Sequence, residues 1–202
     1  MLDASSNAIV ITSAAPDSGK SFVSVNLAVV AAQSGLRVAL VDADLRRGQL
    51  RKYFGLPRNS PGLAQYLTGT TQIDSVVYET DVEDLIFMPT GRYPPNPSEL
   101  LMRRELHYLI RRLETAVDLI VIDSPPVLAV TDPVILSRTA GASILVVRHG
   151  VTSLADIEDA RKTFSAAGLR FAGSILNFFD PRKARRGYGY RYHYGDYEQR
   201  SE

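Results

Sequence analysis

The 202-residue sequence contains no cysteine. That absence excludes a disulfide-stapled scaffold, a thiolate zinc site and a cysteine nucleophile together. No apolar run approaches the ~20 residues that a membrane-spanning helix needs. The opening Met1-Leu2-Asp3-Ala4-Ser5-Ser6 has no charged segment leading into an apolar stretch, so no secretory leader is expected, and the chain as given is expected to be soluble. An excess of one charge is missing too. With 23 Lys+Arg against 22 Asp+Glu the formal charge is +1, which removes a whole-chain electrostatic case for nucleic acid or anionic lipid. What is present is ordinary: 45% hydrophobic and 22% charged residues. Such a chain is globular, with room for one domain of about 150–200 residues and a tail.

Short β-branched runs alternate with helical patterns. Strands are predicted at Ala8–Ser13, Arg37–Asp42, Leu85–Pro89, Asp118–Asp123, Ala142–Arg148 and Phe171–Asn177. Leu119-Ile120-Val121-Ile122 and Ile144-Leu145-Val146-Val147 are apolar at successive positions, as strands buried on both faces of a parallel sheet must be. Helices are predicted at Lys20–Ser34, Pro97–Ala116, Asp132–Ser137 and Ser153–Ala167. For the second of these, Asn96 is the expected N-cap, Pro97 the first helical position and Glu99 the capping-box partner. Gly35 and Gly168 stand where helices terminate. The alternation implies a doubly wound, mainly parallel α/β domain over residues 1–180.

Three segments carry chemistry, each at the C-terminal end of a predicted strand, where doubly wound folds bind ligands. Ala14-Ala15-Pro16-Asp17-Ser18-Gly19-Lys20-Ser21 lies between a strand and an apolar helix, the context of a phosphate-binding P-loop. Gly19 allows close backbone approach and successive N–H groups form an anion nest. Lys20 would reach the β- and γ-phosphates, and the Ser21 hydroxyl would face Mg²⁺. The usual first glycine is replaced by Ala14, which requires negative φ there and makes this a deviant Walker A loop. Asp17, Ser18, Gly19, Lys20, Ser21 and Phe22 are the nucleotide-binding candidates. Val41-Asp42-Ala43-Asp44 places two carboxylates beside such a site, one for metal-bound water and one to accept a proton. Asp42, nearer the strand end, is favoured as the base. Asp123, after four aliphatics, suits a Walker B carboxylate, so Ser21, Asp42 and Asp123 are the metal candidates and Lys20, Asp42, Asp44 and Asp123 the catalytic ones. Asn177 could meet an adenine edge or form a turn.

Other signals are weaker. His107, His149 and His193 lack metal-ligand spacing, and Arg103-Arg104 and Arg111-Arg112 read as the wet face of a helix. Composition changes after Asn177. Residues 182–202 carry six Lys/Arg against three Asp/Glu, a net of +3, and five of the ten tyrosines: Tyr188, Tyr190, Tyr192, Tyr194 and Tyr197. Nothing there is apolar enough to pack, so residues 181–202 are expected to be a flexible tail.

The P-loop segment, Val38–Arg47 and Asp118–Asp132 together resemble the Walker A, A′ and B segments of bacterial tyrosine kinases. Pro94–Leu101 (PPNPSELL) and the terminal tyrosine cluster are similar in the same order. The resemblance implies a P-loop kinase domain using ATP and Mg²⁺. It implies autophosphorylation of Tyr188, Tyr190, Tyr192, Tyr194 and Tyr197, largely between neighbouring subunits, and control of capsule or exopolysaccharide polymerisation and export. By the same resemblance the partners are a second copy in a ring-like homo-oligomer, a membrane-spanning co-polymerase region in the same or a partner chain, and a cognate tyrosine phosphatase. No nucleic acid is expected. The family's Glu-x-x-Arg-x-x-Arg oligomerisation element and its membrane helices do not occur in this sequence. The chain is therefore expected to be part of a longer protein at the cytoplasmic face of the inner membrane, or else the kinase half of a two-chain system. The competing reading is a Min/Par-type ATPase that dimerises on ATP. That group carries a signature lysine five positions before the P-loop lysine, where this chain has Ala15, and it lacks the tyrosine cluster.

Overall fold

The computed structural model describes residues 6–180. Seven strands form one sheet in the order β3-β4-β2-β5-β1-β6-β7. They are β1 (Ala8–Ser13), β2 (Val38–Asp42), β3 (Tyr78–Glu79), β4 (Leu85–Met88), β5 (Leu119–Asp123), β6 (Ala142–Arg148) and β7 (Gly173–Asn177). All pairings are parallel except β3 with β4. Among the described residues six α-helices accompany them, α1 (Lys20–Gln33), α2 (Leu63–Leu67), α3 (Pro97–Leu101), α4 (Arg104–Ala116), α5 (Asp132–Ser137) and α6 (Leu154–Ala166), with short 3₁₀ turns at Leu50–Lys52 and Ile73–Ser75.

The continuous apolar runs are explained by two cores. Alternate residues of a strand face opposite sides, so Ala8, Val10, Ile120 and Ile122 join Leu63, Leu67, Leu106, Leu109 and Leu113 on the side of α2–α5. Ile9, Ile11, Leu40, Leu119 and Val121 pack with Val25, Ala28 and Ala32 of α1 on the other side. A smaller cluster of Ala14, Val127, Leu145, Ala160 and Phe164 seats α6.

The predicted strands and helices are present, with two differences. The single helix expected over Pro97–Ala116 is two. Arg103 takes an extended conformation, ψ 153°, and its guanidinium donates to the carbonyl of Leu67 at 2.7 Å. The buried residues explain the break. Pro97, Leu100 and Leu101 face the core in α3, and Leu106, Leu109, Ile110 and Leu113 in α4. The five-residue step from Leu101 to Leu106 falls out of phase with one helical face, so the chain re-aims between them. The second difference is the pair α2 and β3, neither of which was expected. Asn96 does occupy the N-cap of α3, but its side chain makes no capping bond and instead donates to Glu99 at 2.6 Å. The proposed boundary at 180/181, and every tail tyrosine, lie at or beyond the edge of the described residues.

The starts of β2 and β5 are tied by a forked pair. Arg37 donates to Asp118 from its Nη2 at 2.7 Å, from Nε at 3.1 Å and from its backbone N–H at 3.0 Å. These bonds lower the Asp118 carboxyl to about 2 from an ordinary 3.8. Because the folded value is depressed, the stabilisation is present above the unfolded value and lost as pH falls towards 2. Asp118→Asn is therefore expected to melt below wild type at pH 7, with the gap closing between pH 4 and pH 2. Parallel melting curves at each pH measure this.

Candidate nucleotide-binding and phosphoryl-transfer site

The three motifs meet because β1, β2 and β5 are adjacent and parallel, so their C-terminal ends share one edge. Asp42 and Asp123 are register partners across β2 and β5. The loop after β1 delivers α1 to the same edge. Gly19 at its N-cap is left-handed, φ 79°, and Asp17 also has positive φ, at 59°. Ala14 is not among the residues with positive φ and is wholly buried, so alanine is accommodated at the missing-glycine position.

Lys20 lies at the centre. Its Nζ is 3.4 Å from Asp44 and 3.8 Å from Asp123. Burial works to lower its pKa, but Asp123, Asp44 and Asp42 outweigh it and hold the ammonium above its ordinary value. Asp123 accepts from the Ser21 hydroxyl at 2.8 Å and from Ser24 at 2.9 Å. Burial raises its carboxyl, while Lys20 and the two serines oppose that shift. Ser24 was not singled out in the sequence. Its signal is its place one helical turn beyond Lys20.

Asp42 is 1% exposed. Its carboxylate accepts from the N–H of Leu50 at 2.9 Å and, more weakly, from that of Asp44 at 3.4 Å. It is pushed up to about 7, first by burial and next by the charge of Asp123. Gly48 lies flat against it: an added Cβ would come within 2.4 Å of the Asp42 Oδ1 and 2.0 Å of the Thr90 hydroxyl. Asp44 accepts from the N–H groups of Arg46 and Arg47 at 3.2 and 2.8 Å, which turns the chain after β2. The side chain of Arg46 pairs with buried Asp132 at 2.8 Å and reaches Ser98 at 2.9 Å, so the acidic loop is pinned to α5 and α3. Sequence reading missed that brace.

A cleft of about 400 Å³ opens at the P-loop beside Asp44, lined by Pro16, Asp17, Gly19, Lys20, Ser21, Phe22, Asp44, Arg47, Gln49, Tyr53 and Pro126. Phe22, half exposed, stands at this cleft. Arg47, Gln49 and Tyr53 are additions. Ser18 is at the loop, its hydroxyl bonded to the Ala15 carbonyl at 3.0 Å. Asn177 ties the end of β7 to the P-loop. Its Nδ2 donates to the Ser18 carbonyl at 3.1 Å and its Oδ1 accepts from the Phe178 N–H at 2.9 Å. Arg148 reinforces the strap, donating to the Asp17 carbonyl at 2.9 Å and lying 4.5 Å over the Phe178 ring. His149 packs edge-on against Phe179. Arg111 and Arg112 pair with surface carboxylates. Tyr188, Tyr190, Tyr192, Tyr194, Tyr197 and His193 lie outside the described residues.

Hard oxygen donors from Ser21 and Asp123, beside a phosphate nest, suit a magnesium ion, which takes one or two protein ligands and completes its shell with phosphate and water. Among the described residues no cluster of three or more His, Cys, Asp or Glu is arranged to hold a metal.

Fold and site together define a P-loop nucleotide-binding domain. The sequence matches the CobQ/CobB/MinD/ParA nucleotide-binding domain over residues 9–188. It is 42% identical over 185 residues to the tyrosine-protein kinase ptk of Acinetobacter johnsonii, covering 92% of this chain and 25% of that protein. The structure is similar to the kinase domain of the Escherichia coli tyrosine kinase ETK, with TM-score 0.82 and 40% identity over 85% of this chain and 67% of that one. It is also similar to the BceF tyrosine kinase domain, with TM-score 0.80 and 46% identity over 87% and 70% of the two chains. The chain belongs to the CobQ/CobB/MinD/ParA nucleotide-binding family and, within it, to the bacterial tyrosine-kinase domains. It spans about a quarter of the length of the curated relatives it matches. No helix among the described residues is long and apolar enough to cross a membrane.

Proposed function

We propose that this domain is an ATP-dependent protein-tyrosine autokinase within a longer protein. It transfers the γ-phosphoryl group of ATP to Tyr188, Tyr190, Tyr192, Tyr194 and Tyr197, largely on a neighbouring subunit. The observation that carries the reading is that buried Asp42 and Asp123 are partners across the ends of two strands, with the Nζ of the P-loop lysine 3.8 Å from Asp123. A tyrosine hydroxyl has pKa near 10, so almost none is phenolate at pH 7 and phosphoryl transfer to it calls for a base. Asp42, held near neutrality, is matched to that proton.

In the reaction Lys20 exchanges its carboxylate partners for the more highly charged β- and γ-phosphates. Ser21 and Asp123 would hold Mg²⁺, which would neutralise phosphate charge. Asp42 accepts the phenolic proton as the new bond forms from the tyrosine oxygen to the γ-phosphorus and the bond to the β,γ-bridging oxygen breaks, leaving ADP. Asp44 keeps the loop after β2 in place and shares in balancing Lys20. Phe22 and the P-loop residues Asp17, Ser18 and Gly19 shape the nucleotide cleft.

The longer protein is proposed to act at the cytoplasmic face of the inner membrane, governing capsule or exopolysaccharide polymerisation and export. A membrane-spanning co-polymerase region and an opposing tyrosine phosphatase are its proposed partners. The test is incubation with ATP and Mg²⁺ followed by mass-spectrometric mapping of phosphotyrosine, with a chelator arm. Phosphate on the cluster that disappears with EDTA is expected. Hydrolysis of ATP without phosphotyrosine would move the chain to the Min/Par-type reading.

A further inference from the structure

A second cavity, of about 310 Å³, reaches Asp42 and is lined by none of the P-loop residues. Its walls are Gly48, Arg51, Arg58, Thr90, Gly91, Arg92 and Tyr93, with Asp42 among them. The nucleotide reading explains Asp42 but leaves the three arginines without a task. None of their side chains makes an ion pair or hydrogen bond among the described residues, whereas Arg37, Arg46 and Arg161 each grip a carboxylate. Arg51 and Arg58 are close enough to Tyr93 to act on its hydroxyl electrostatically, and that hydroxyl donates to the Gly48 carbonyl at 2.7 Å. Unpaired guanidiniums gathered round a concavity are suited to a phosphate monoester, whose oxygens match their forked donors.

The spacing of the acceptor cluster says which phosphate. Tyr188, Tyr190, Tyr192 and Tyr194 recur every second residue. In an acceptor laid out as a strand, side chains two apart share a face at roughly 6.5–7 Å. With one hydroxyl at Asp42, its neighbour is carried to the next part of the same cavity.

We propose that the arginine-lined cavity is a phosphotyrosine subsite: it seats a tyrosine that is already phosphorylated while the tyrosine two residues away is presented to Asp42. The inference rests on the autokinase reading above and deepens it. Phosphorylation then proceeds in order, each phosphate priming the next in phase. Tyr197 follows Tyr194 by three residues, faces the other side of such a strand, and gains nothing. A fully phosphorylated tail carries a large negative charge, but a single phosphate among three guanidiniums is locally complemented.

The experiment uses the full chain with its five cluster tyrosines changed to Phe, and synthetic peptides of residues 184–202. One peptide carries phosphotyrosine at 192 with Tyr190 as the lone acceptor. A second has unmodified Tyr192, and a third pairs phosphotyrosine at 194 with Tyr197. Fluorescence anisotropy is expected to show the first peptide binding at least tenfold more tightly than the second. Arg51→Ala, Arg58→Ala and Arg92→Ala combined should erase that difference while the KM for ATP stays unchanged. In turnover, KM for Tyr190 should fall with the phosphate in place, and Tyr197 should show no benefit. Equal binding of the first two peptides, or a preference that survives the triple substitution, overturns the subsite. So does competition by inorganic phosphate at the same concentration as the phosphopeptide, which would make it a general anion pocket. Absence of transfer to every peptide refutes the kinase reading instead, and the anisotropy result still decides the subsite.

Discussion

Asp42→Asn is expected to lower tyrosine phosphorylation by roughly 10²–10⁴-fold, the usual contribution of a positioned base, while ATP affinity stays within a few-fold of wild type. Asparagine keeps the size of the side chain and an oxygen for the N–H of Leu50, which now donates at 2.9 Å, but it cannot take a phenolic proton. Lys20→Met provides the contrast. Its Nζ is the cation between Asp44 and Asp123, so the change should abolish transfer and also weaken nucleotide binding, because phosphate charge then meets buried carboxylates without a cation. Titration with a fluorescent ATP analogue separates the two variants. A pH profile adds a second readout. Asp42 is pushed up to about 7 by burial and then by Asp123, and a protonated base is inactive, so the wild-type rate should fall as pH drops below about 7. The residual rate of Asp42→Asn should lack that acid limb. Full activity in Asp42→Asn would remove this residue from the reaction.

The parts of the molecule legible in its sequence are those where one physical demand fixes several residues in a row. Leu119-Ile120-Val121-Ile122-Asp123 could be assigned as a doubly buried strand ending in a carboxylate because the residue type changes over at one position. The P-loop was readable because nest, lysine and hydroxyl occupy fixed consecutive places. What escaped was long-range or short. The Arg46–Asp132 brace joins residues 86 apart, and no local pattern announces such a partner. The strand Tyr78–Glu79 has two residues and the helix Leu63–Leu67 five, too few for a period to show. The break between α3 and α4 was visible in principle as the out-of-phase step from Leu101 to Leu106, but helix-favouring residues masked it. Arg51 lies in a short 3₁₀ turn and Arg58 and Arg92 in separate loops, and only the fold gathers them.

Gly19→Ala is expected to cost at least a hundredfold in nucleotide affinity, for two separable reasons. Its backbone is left-handed, φ 79°, a conformation that burdens an L-residue by roughly 1–2 kcal/mol. In addition, an added Cβ would lie 2.2 Å from the Asn177 amide nitrogen and 2.9 Å from the Phe178 ring. The clash falls on the strap that fixes the loop, since the same amide nitrogen donates to the Ser18 carbonyl at 3.1 Å. Relief of one therefore loosens the other. Asn177→Ala alone should weaken nucleotide binding only several-fold, by freeing the loop without distorting it. The double variant should recover part of what Gly19→Ala loses, because the steric term is gone and the backbone term remains. Calorimetric titration of ATP into the four proteins of this cycle measures the coupling. If the two losses simply add, the contact between Gly19 and Asn177 plays no part in shaping the anion nest, and the end of β7 is a bystander to nucleotide binding.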